Sequence, residues 1–147
     1  MTQVCLVVGA GAGIGGSVGR RFAAAGYHAA LCRRSDAAGL DQRVSATRSP
    51  GGSATRATLN AVEAGTIEDR VAQTEDQIGP IRVAVYNLGA QIGHRPLETI
   101  SDKVFERCWQ LGTNGLFRLA KALCPRMAAR GEGTIIVTSA TAAVRGN

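Results

Sequence analysis

An apolar run that breaks directly into glycines, at the start of the chain, restricts what this sequence can fold into. Residues 4–16 read Val-Cys-Leu-Val-Val-Gly-Ala-Gly-Ala-Gly-Ile-Gly-Gly, and apolar side chains then recur at Ile14, Val18 and Phe22. The pattern predicts a buried strand, a tight turn and a helix. Because glycine has no Cβ atom and a helix N-terminus attracts anions, the stretch predicts a phosphate or diphosphate site. A turn that only connects the strand to the helix is the alternative.

The bulk composition indicates one domain without a membrane partner. The 147 residues are 45% hydrophobic, which is enough apolar material for a core. No apolar run approaches the roughly 18 residues of a membrane helix, and no basic segment precedes the first apolar run as in a signal peptide. The four cysteines are scattered without a Cys-x-x-Cys pair. This spacing indicates reduced thiols in a cytoplasmic protein and no metal site.

The net charge of +6 comes from 17 basic residues, of which 15 are arginine. A basic balance is one property of proteins that bind nucleic acid. Here the arginines are spread along the chain, without a dense cluster and without interleaved aromatic residues. We interpret the excess as a solvated basic surface and expect no nucleic-acid partner, although a few arginines are candidates for binding a phosphorylated cofactor.

Strand and helix patterns alternate along the rest of the chain. Further strands are predicted at 28–32, 54–59, 81–86 and 134–138. Further helices are predicted at 36–48, from the N-cap Thr66 to 78, at 101–109 and at 113–130, with a loop at 91–96 that contains an isolated surface histidine, His94. The alternation predicts an α/β fold, a Rossmann-type doubly wound parallel sheet with the strand order 3-2-1-4-5. In that order the ligand crevice lies at the carboxyl ends of strands 1 and 4.

The glycine spacing Gly9-x-x-x-Gly13-x-Gly15, with Ile14 inside it, resembles the short-chain dehydrogenase/reductase family. The resemblance covers the whole chain, although Val8 stands where the family usually has threonine. It implies an NAD(P)(H)-dependent oxidoreductase that transfers hydride between a nicotinamide cofactor and an alcohol or carbonyl substrate. The cofactor-binding residues that it implies in the turn are Gly9, Gly11, Gly13, Ile14 and Gly15.

Two further stretches carry the resemblance. Tyr-Asn-Leu-Gly at 86–89 stands where the family usually shows Asn-Asn-Ala-Gly, which implies that Asn87 ties neighbouring strands together and that Gly89 and Ala90 lie close to the cofactor ribose. Asn60, followed by Ala61, stands where the family usually has an aspartate that binds the adenine amino group. The Asn60 carbonyl oxygen is suited to the same bond, and an ordinary turn asparagine is the alternative.

The residues after the second strand bear on the choice of cofactor. In a dinucleotide fold an acidic residue here binds the ribose 2′-hydroxyl of NAD, whereas a basic residue suits the 2′-phosphate of NADP. This chain has Arg33 and Arg34 and no acidic residue before Asp36. We therefore predict that NADP(H) is favoured over NAD(H), with Arg34 as the better candidate, unless both arginines only solvate a polar loop. Ala12 stands where many NADP-preferring relatives carry a second basic residue.

The family's proton donor is absent from these residues. The resemblance implies a tyrosine whose pKa is lowered by a lysine four positions later, acting as a general acid. Tyr27 and Tyr86 are followed at that distance by Leu31 and Ala90. We therefore expect residues 1–147 to be one NAD(P)-binding domain that is truncated before the Tyr-x-x-x-Lys segment. Such a chain has an incomplete sheet on its C-terminal side and is inactive on its own.

The family's assisting residues are replaced as well. Its asparagine position falls on Gly112 and its serine position on Ala140. Thr141, with Ser139 nearly equal, is the candidate for an assisting hydroxyl. Because of these departures, a nucleotide-binding protein without catalysis is the second functional hypothesis.

The same alignment predicts association between copies. We expect a bare edge on the fifth strand and an apolar face on the helix at 113–130 that lacks a neighbour. Unpaired edges and apolar faces promote association, and the family often dimerises through this helix. A homo-oligomer is therefore expected.

Overall fold

Five parallel strands form the centre of the computed structural model, which describes residues 2–90 and 92–145. The strands are β1 (Val4–Val8), β2 (His28–Arg33), β3 (Ser53–Thr58), β4 (Ile81–Tyr86) and β5 (Thr134–Val137). They lie in the order β3-β2-β1-β4-β5, which confirms the predicted Rossmann order. The two strands on either side of β1 place its carboxyl end, and the glycine turn that follows, at the centre of that sheet edge.

Helices cover both faces of this sheet. The longer ones are α1 (Ile14–Ala24), α2 (Ala37–Arg48), α3 (Thr66–Gln77), α4 (Asp102–Trp109) and α5 (Gly115–Arg130). Single 3₁₀ turns lie at Leu97–Thr99 and Thr141–Ala143. A π-helical turn, Gln110–Asn114, joins α4 to α5, so the two helices predicted in this region form one continuous helical segment.

The core consists of two layers separated by the sheet. All of β1 is buried because β2 and β4 pair with it along both edges and helices cover both of its faces. Successive strand side chains alternate between the layers. Leu6, Val8 and Tyr86 pack with α3 and α5, while Cys5 and Val7 pack with α1 and α2.

One predicted helix cap is wrong. Thr66 is the first helical residue of α3, and the cap is Gly65, whose φ of 84° lies in the left-handed region that suits glycine. The Thr66 hydroxyl instead donates to the carbonyl oxygens of Asn60, at 2.6 Å, and Glu63, at 3.0 Å. In the loop predicted at 91–96, Gln91 lies outside the described residues and His94 is exposed.

Candidate functional site

The glycine turn is held by three neighbouring strands. Gly9 has a φ of 96°, and a Cβ atom there would overlap the carbonyl oxygen of Asn87. The amides of Gly9 and Ala10 both donate to the Cys32 carbonyl, each at 2.9 Å. The side-chain amide of Asn87 donates to the Gly9 carbonyl at 3.0 Å. The carboxyl ends of β1, β2 and β4 therefore converge on this turn.

Open space lies in front of the α1 N-terminus. Gly13 is the N-cap of α1 and provides no side chain to the first turn. The Gly16 and Ser17 amides donate to the carbonyls of Gly11, at 3.0 Å, and Gly13, at 3.2 Å, so the amides of Ile14 and Gly15 are the ones that stay available to a ligand. A Cβ atom on Gly15 would overlap the Gly9 carbonyl, whereas Cβ atoms on Gly11 and Gly13 would meet nothing within 4 Å. A packed turn with an uncovered outer side fits a diphosphate group, since anions bind at helix N-termini.

A cavity of about 300 Å³ extends from the turn toward β2 and β3. It brings together eight of the predicted cofactor-binding residues: Gly9, Gly11, Arg33, Arg34, Asn60, Ala61, Asn87 and Gly89. The rest of its wall consists of Val8, Ser35, Leu59, Leu88 and Leu111. Among the described residues, no acidic side chain lines this cavity.

The two arginines after β2 differ in their surroundings. The Arg33 guanidinium forms an ion pair with Asp36, whose other carboxylate oxygen caps α2 by accepting from the Gly39 amide at 2.9 Å. Arg34 is exposed at the cavity wall. Because Arg33 already faces a carboxylate, Arg34 is the better placed of the two for an additional phosphate.

Asn60 lies in the cavity wall within a local turn. Its side-chain oxygen accepts from the Val62 amide at 3.4 Å, and its backbone carbonyl accepts from Glu63 at 3.0 Å. The turn role, one of the two alternatives, is therefore present. At 3.4 Å the hydrogen bond from the Val62 amide is long, so the Asn60 carboxamide stays free to bind a base in the cavity.

A second cavity, of about 400 Å³, lies on the other side of the turn. It is lined by Ile14, Asn87, Leu88, Gly89, Ala90, Thr138, Ser139 and Ala140. Asn87, Leu88 and Gly89 line both cavities, so the two lie next to each other at the sheet edge, and we refer to them together as the groove. Of the two predicted hydroxyl candidates, Ser139 lines this groove, and Thr141 lies beyond it at the start of a 3₁₀ turn.

Neither tyrosine lines the groove. Tyr86 is buried, its hydroxyl donates to the Leu111 carbonyl, and burial raises its pKa to about 12. Tyr27 packs edge-on against Phe22 with their ring centroids 5.3 Å apart. Both side chains are structural, so a tyrosine general acid is not present among these residues.

The two buried cysteines are also poor candidates for a catalytic role. Burial raises the pKa of the Cys5 and Cys32 thiols to about 12, which makes them poor nucleophiles. Within residues 2–90 and 92–145, no group of three or more His, Cys, Asp or Glu side chains is arranged to hold a metal ion. In the same ranges, no helix has the length and apolarity to cross a membrane.

The sequence reasoning missed several residues of the cavity wall. Leu59 follows β3 directly, and its place at the carboxyl edge of the sheet is a signal that could have found it. Leu111 had no such signal. It reaches the cavity from the π-helical turn, which Tyr86 holds through its hydrogen bond to the Leu111 carbonyl.

Comparison with known proteins places this geometry in context. A family model described as short chain dehydrogenase matches residues 3–147. One relative, the (2S)-[(R)-hydroxy(phenyl)methyl]succinyl-CoA dehydrogenase subunit BbsC of Thauera aromatica, is 33% identical over 91% of this chain and 53% of its own length. Gluconate 5-dehydrogenase of Gluconobacter oxydans is 31% identical over 89% of this chain and 50% of its own. The chain thus spans about half the length of the curated relatives it matches.

Two solved structures superpose closely on this chain. A variant of actinorhodin polyketide ketoreductase with NADPH superposes with a TM-score of 0.91 at 28% identity, over 99% of this chain and 56% of that one. A short-chain dehydrogenase/reductase from Burkholderia xenovorans superposes with a TM-score of 0.89 at 27% identity, over 97% and 56% of the two chains.

Proposed function

We propose, from the premise that this chain belongs to the short-chain dehydrogenase family, that it is the cofactor-binding part of an NAD(P)(H)-dependent oxidoreductase. The substrate class that the family suggests is an alcohol or carbonyl compound. The single observation that carries the proposal is the uncovered outer side of the turn at Gly11 and Gly13, which opens into a groove on both sides. The four free cysteines of the chain support a cytoplasmic location, because disulfides form in oxidising compartments.

The two parts of the groove suit the two ends of a dinucleotide. The part beside β2 and β3 has apolar walls at Leu59 and Leu111 and the Asn60 carboxamide, a set that suits an adenine base. The part beside β5 has the Ser139 hydroxyl and the small residues Gly89 and Ala90, which leave room for a nicotinamide ring. A bound nicotinamide supplies or accepts the hydride in this chemistry.

NADP(H) is the preferred form in this proposal. Arg34 offers a guanidinium that is exposed at the wall, and no acidic side chain of the described wall is present to bind a ribose 2′-hydroxyl or repel a 2′-phosphate. A guanidinium presents forked donors to phosphate oxygens. The NADPH in the ketoreductase structure is consistent with this choice, although it belongs to that protein.

Catalysis within these residues is not part of the proposal. Among the described residues, the groove contains a hydroxyl at Ser139 but no tyrosine, because Tyr86 is bonded to Leu111 and Tyr27 packs on Phe22. We infer that residues 1–147 form one cofactor-binding domain that does not reduce a carbonyl by itself. Ser139, ahead of Thr141, is the hydroxyl that would assist a donor supplied from elsewhere. A nucleotide-binding role without catalysis remains the second candidate on the same observation.

Isothermal titration with NADPH and NADH tests the proposal. We expect both to bind, with NADPH tighter. Arg34→Ser should weaken NADPH binding by about tenfold, the value of one charge-assisted hydrogen bond, and leave NADH unchanged. Arg33→Ser is the matched control and should have a smaller effect, because Asp36 already holds that guanidinium. Failure of the folded wild-type protein to bind either dinucleotide would refute the proposal.

A turnover measurement separates the oxidoreductase from the nucleotide-binding protein without catalysis. If the protein containing this chain oxidises alcohols or reduces carbonyls while residues 1–147 alone only bind the cofactor, it is an oxidoreductase. If the protein containing this chain binds NADPH but turns over no alcohol or carbonyl substrate, the binding role without catalysis is correct.

A further inference from the structure

A third arginine lies close to the glycine turn, on a helix that the sequence pattern does not associate with the cofactor. Arg43 is in α2, seven residues after Asp36, and is half-buried. Its Cδ atom lies 3.2 Å from the point that a Cβ atom on Gly16 would occupy, and the Gly11 carbonyl oxygen lies 2.5 Å from the same point. The Arg43 stem therefore packs on the first turn of α1, directly beside the predicted diphosphate seat.

One nitrogen of the Arg43 guanidinium lacks an acceptor. Its Nε atom is buried and has no hydrogen-bond partner among the described residues. The two carboxylates of this region are engaged elsewhere, because Asp36 pairs with Arg33 and Asp41 pairs with Arg56. An unsatisfied buried donor is costly, and it is uncommon in a folded protein unless a ligand or water completes it.

Arg43 lies outside the walls of the two cavities, and helix geometry directs its side chain toward the N-terminus of α2. Side chains on a helix lean toward its N-terminus, and the N-terminus of α2 lies at the same sheet edge as Arg33 and Arg34. The residue one turn earlier, Gly39, has no side chain in the way. Ala12, exposed at the outer side of the turn, offers only a methyl group. An arginine on α2 can therefore reach the space between the turn and the end of β2.

We propose that Arg43 is a specificity-determining residue that binds the 2′-phosphate of NADP(H) together with Arg34, reaching it from α2. This inference rests on the proposed function and adds a residue to it. The 2′-phosphate is a dianion at neutral pH and suits two guanidinium groups. In the absence of the phosphate, Arg43 packs its aliphatic stem on Gly16 and its Nε donor remains unsatisfied.

The test is calorimetric binding of NADPH, NADH, 2′-AMP and 5′-AMP to the wild type and to Arg43→Met, which keeps the packing stem and removes the charge. We expect Arg43→Met to weaken NADPH and 2′-AMP about tenfold and to leave NADH and 5′-AMP unchanged. Arg21→Met is the matched control, because it removes the same charge near the far end of α1 and should change none of the four affinities.

Three results would overturn the inference. Unchanged NADPH binding in Arg43→Met would show that the guanidinium does not reach the phosphate. An equal loss for all four ligands would show a packing role for Arg43. Wild-type protein that binds NADH at least as tightly as NADPH would remove the phosphate preference, whereas wild-type protein that binds neither would refute the proposed function itself. Thermal unfolding of each variant confirms that the comparison is between folded proteins.

Discussion

At the scale of single residues, the glycines of the opening turn have two distinct reasons to be glycine. At Gly9 and Gly15 the backbone of a neighbouring segment occupies the space of a Cβ atom, so the reason is packing. At Gly11 and Gly13 that space is open, so packing does not require glycine. We propose that the second pair is glycine because a ligand approaches there, and substitution separates the two reasons.

We expect Gly11→Ala to leave the free energy of unfolding within about 0.5 kcal/mol of the wild type, because the methyl group meets nothing. The same variant should bind NADPH more weakly, since the methyl group enters the groove. Gly15→Ala should lose about 2 kcal/mol of stability, because its Cβ atom overlaps the Gly9 carbonyl. Urea unfolding and calorimetry measure both quantities. A Gly11→Ala protein with unimpaired NADPH binding would argue against a ligand at this turn.

A second residue-scale prediction concerns His28, which bridges two strands. Its ring nitrogens lie 2.7 Å from the Ser53 hydroxyl and 2.9 Å from the Thr55 hydroxyl. Burial, with the nearby Arg48 guanidinium, lowers the pKa of His28 below its usual 6.5. The native state thus favours neutral histidine, and the resulting stability is fully present above pH 6.5 and is lost as the pH falls through the lowered pKa.

Urea unfolding at pH 7.5 and pH 5.5 measures this effect. The wild type should be less stable at pH 5.5, and His28→Gln, which keeps a hydrogen-bonding side chain without the titration, should show a smaller difference. Equal pH dependence in the two proteins would assign the loss to other groups.

At the scale of elements, one carboxylate ties α3 and α5 to the start of β4. Glu75 of α3 accepts from Arg126 at 3.0 Å, from Arg130 at 2.9 Å and from the Ile81 amide at 3.1 Å. Arg130 also donates to the Ile81 carbonyl at 3.1 Å. The Glu75 side chain is mostly buried. Its removal leaves the guanidinium groups of Arg126 and Arg130 without their acceptor.

We expect Glu75→Gln to lower the free energy of unfolding by about 2 kcal/mol. Glu132→Gln, which removes the exposed partner of Arg82, is the control and should cost less than about 1 kcal/mol. Chemical denaturation of both variants gives the two values. If they proved equal, the Glu75 cluster would not be a structural tie.

The elements also differ in how far the sequence could predict them. The strands, their order and the turn were predictable because apolar runs, glycines and alternation are local signals. Two features depend on contacts between distant segments and have no local signal. They are the Tyr86 bond that holds the π-helical turn and the position of Arg43 beside Gly16. The Thr66 cap was wrong because a preceding glycine took the left-handed cap position.

At the scale of the whole molecule, large apolar side chains are exposed on two elements near the C-terminal side of the sheet. Phe105, Trp109 and Phe117 lie along the continuous segment of α4 and α5 with 68%, 48% and 62% of their surface exposed. On the sheet, Ile136 and Val137 of β5 are more than 40% exposed. Exposed apolar side chains in such number are the material from which interfaces are built. The expected homo-oligomer therefore stays a prediction with a named surface.

We expect the 147 residues to associate as their concentration rises, measured by light scattering. Trp109 is the single tryptophan, so its fluorescence should shift to shorter wavelength at the same time. Phe117→Ser should weaken the association, whereas Leu97→Ser, which removes an exposed leucine outside these helices, should not. A monodisperse monomer at high concentration would contradict the prediction.

The central claim is that the backbone amides at the start of α1 bind the diphosphate of a nicotinamide dinucleotide. Titration of ¹⁵N-labelled protein with NADPH, followed by amide chemical shifts, tests it most directly. The account predicts that the largest saturable shifts occur at Gly11, Gly13, Ile14 and Gly15, with smaller ones at Arg34 and Asn87. Saturable shifts confined to other parts of the fold, or none at all in the folded protein, would contradict it.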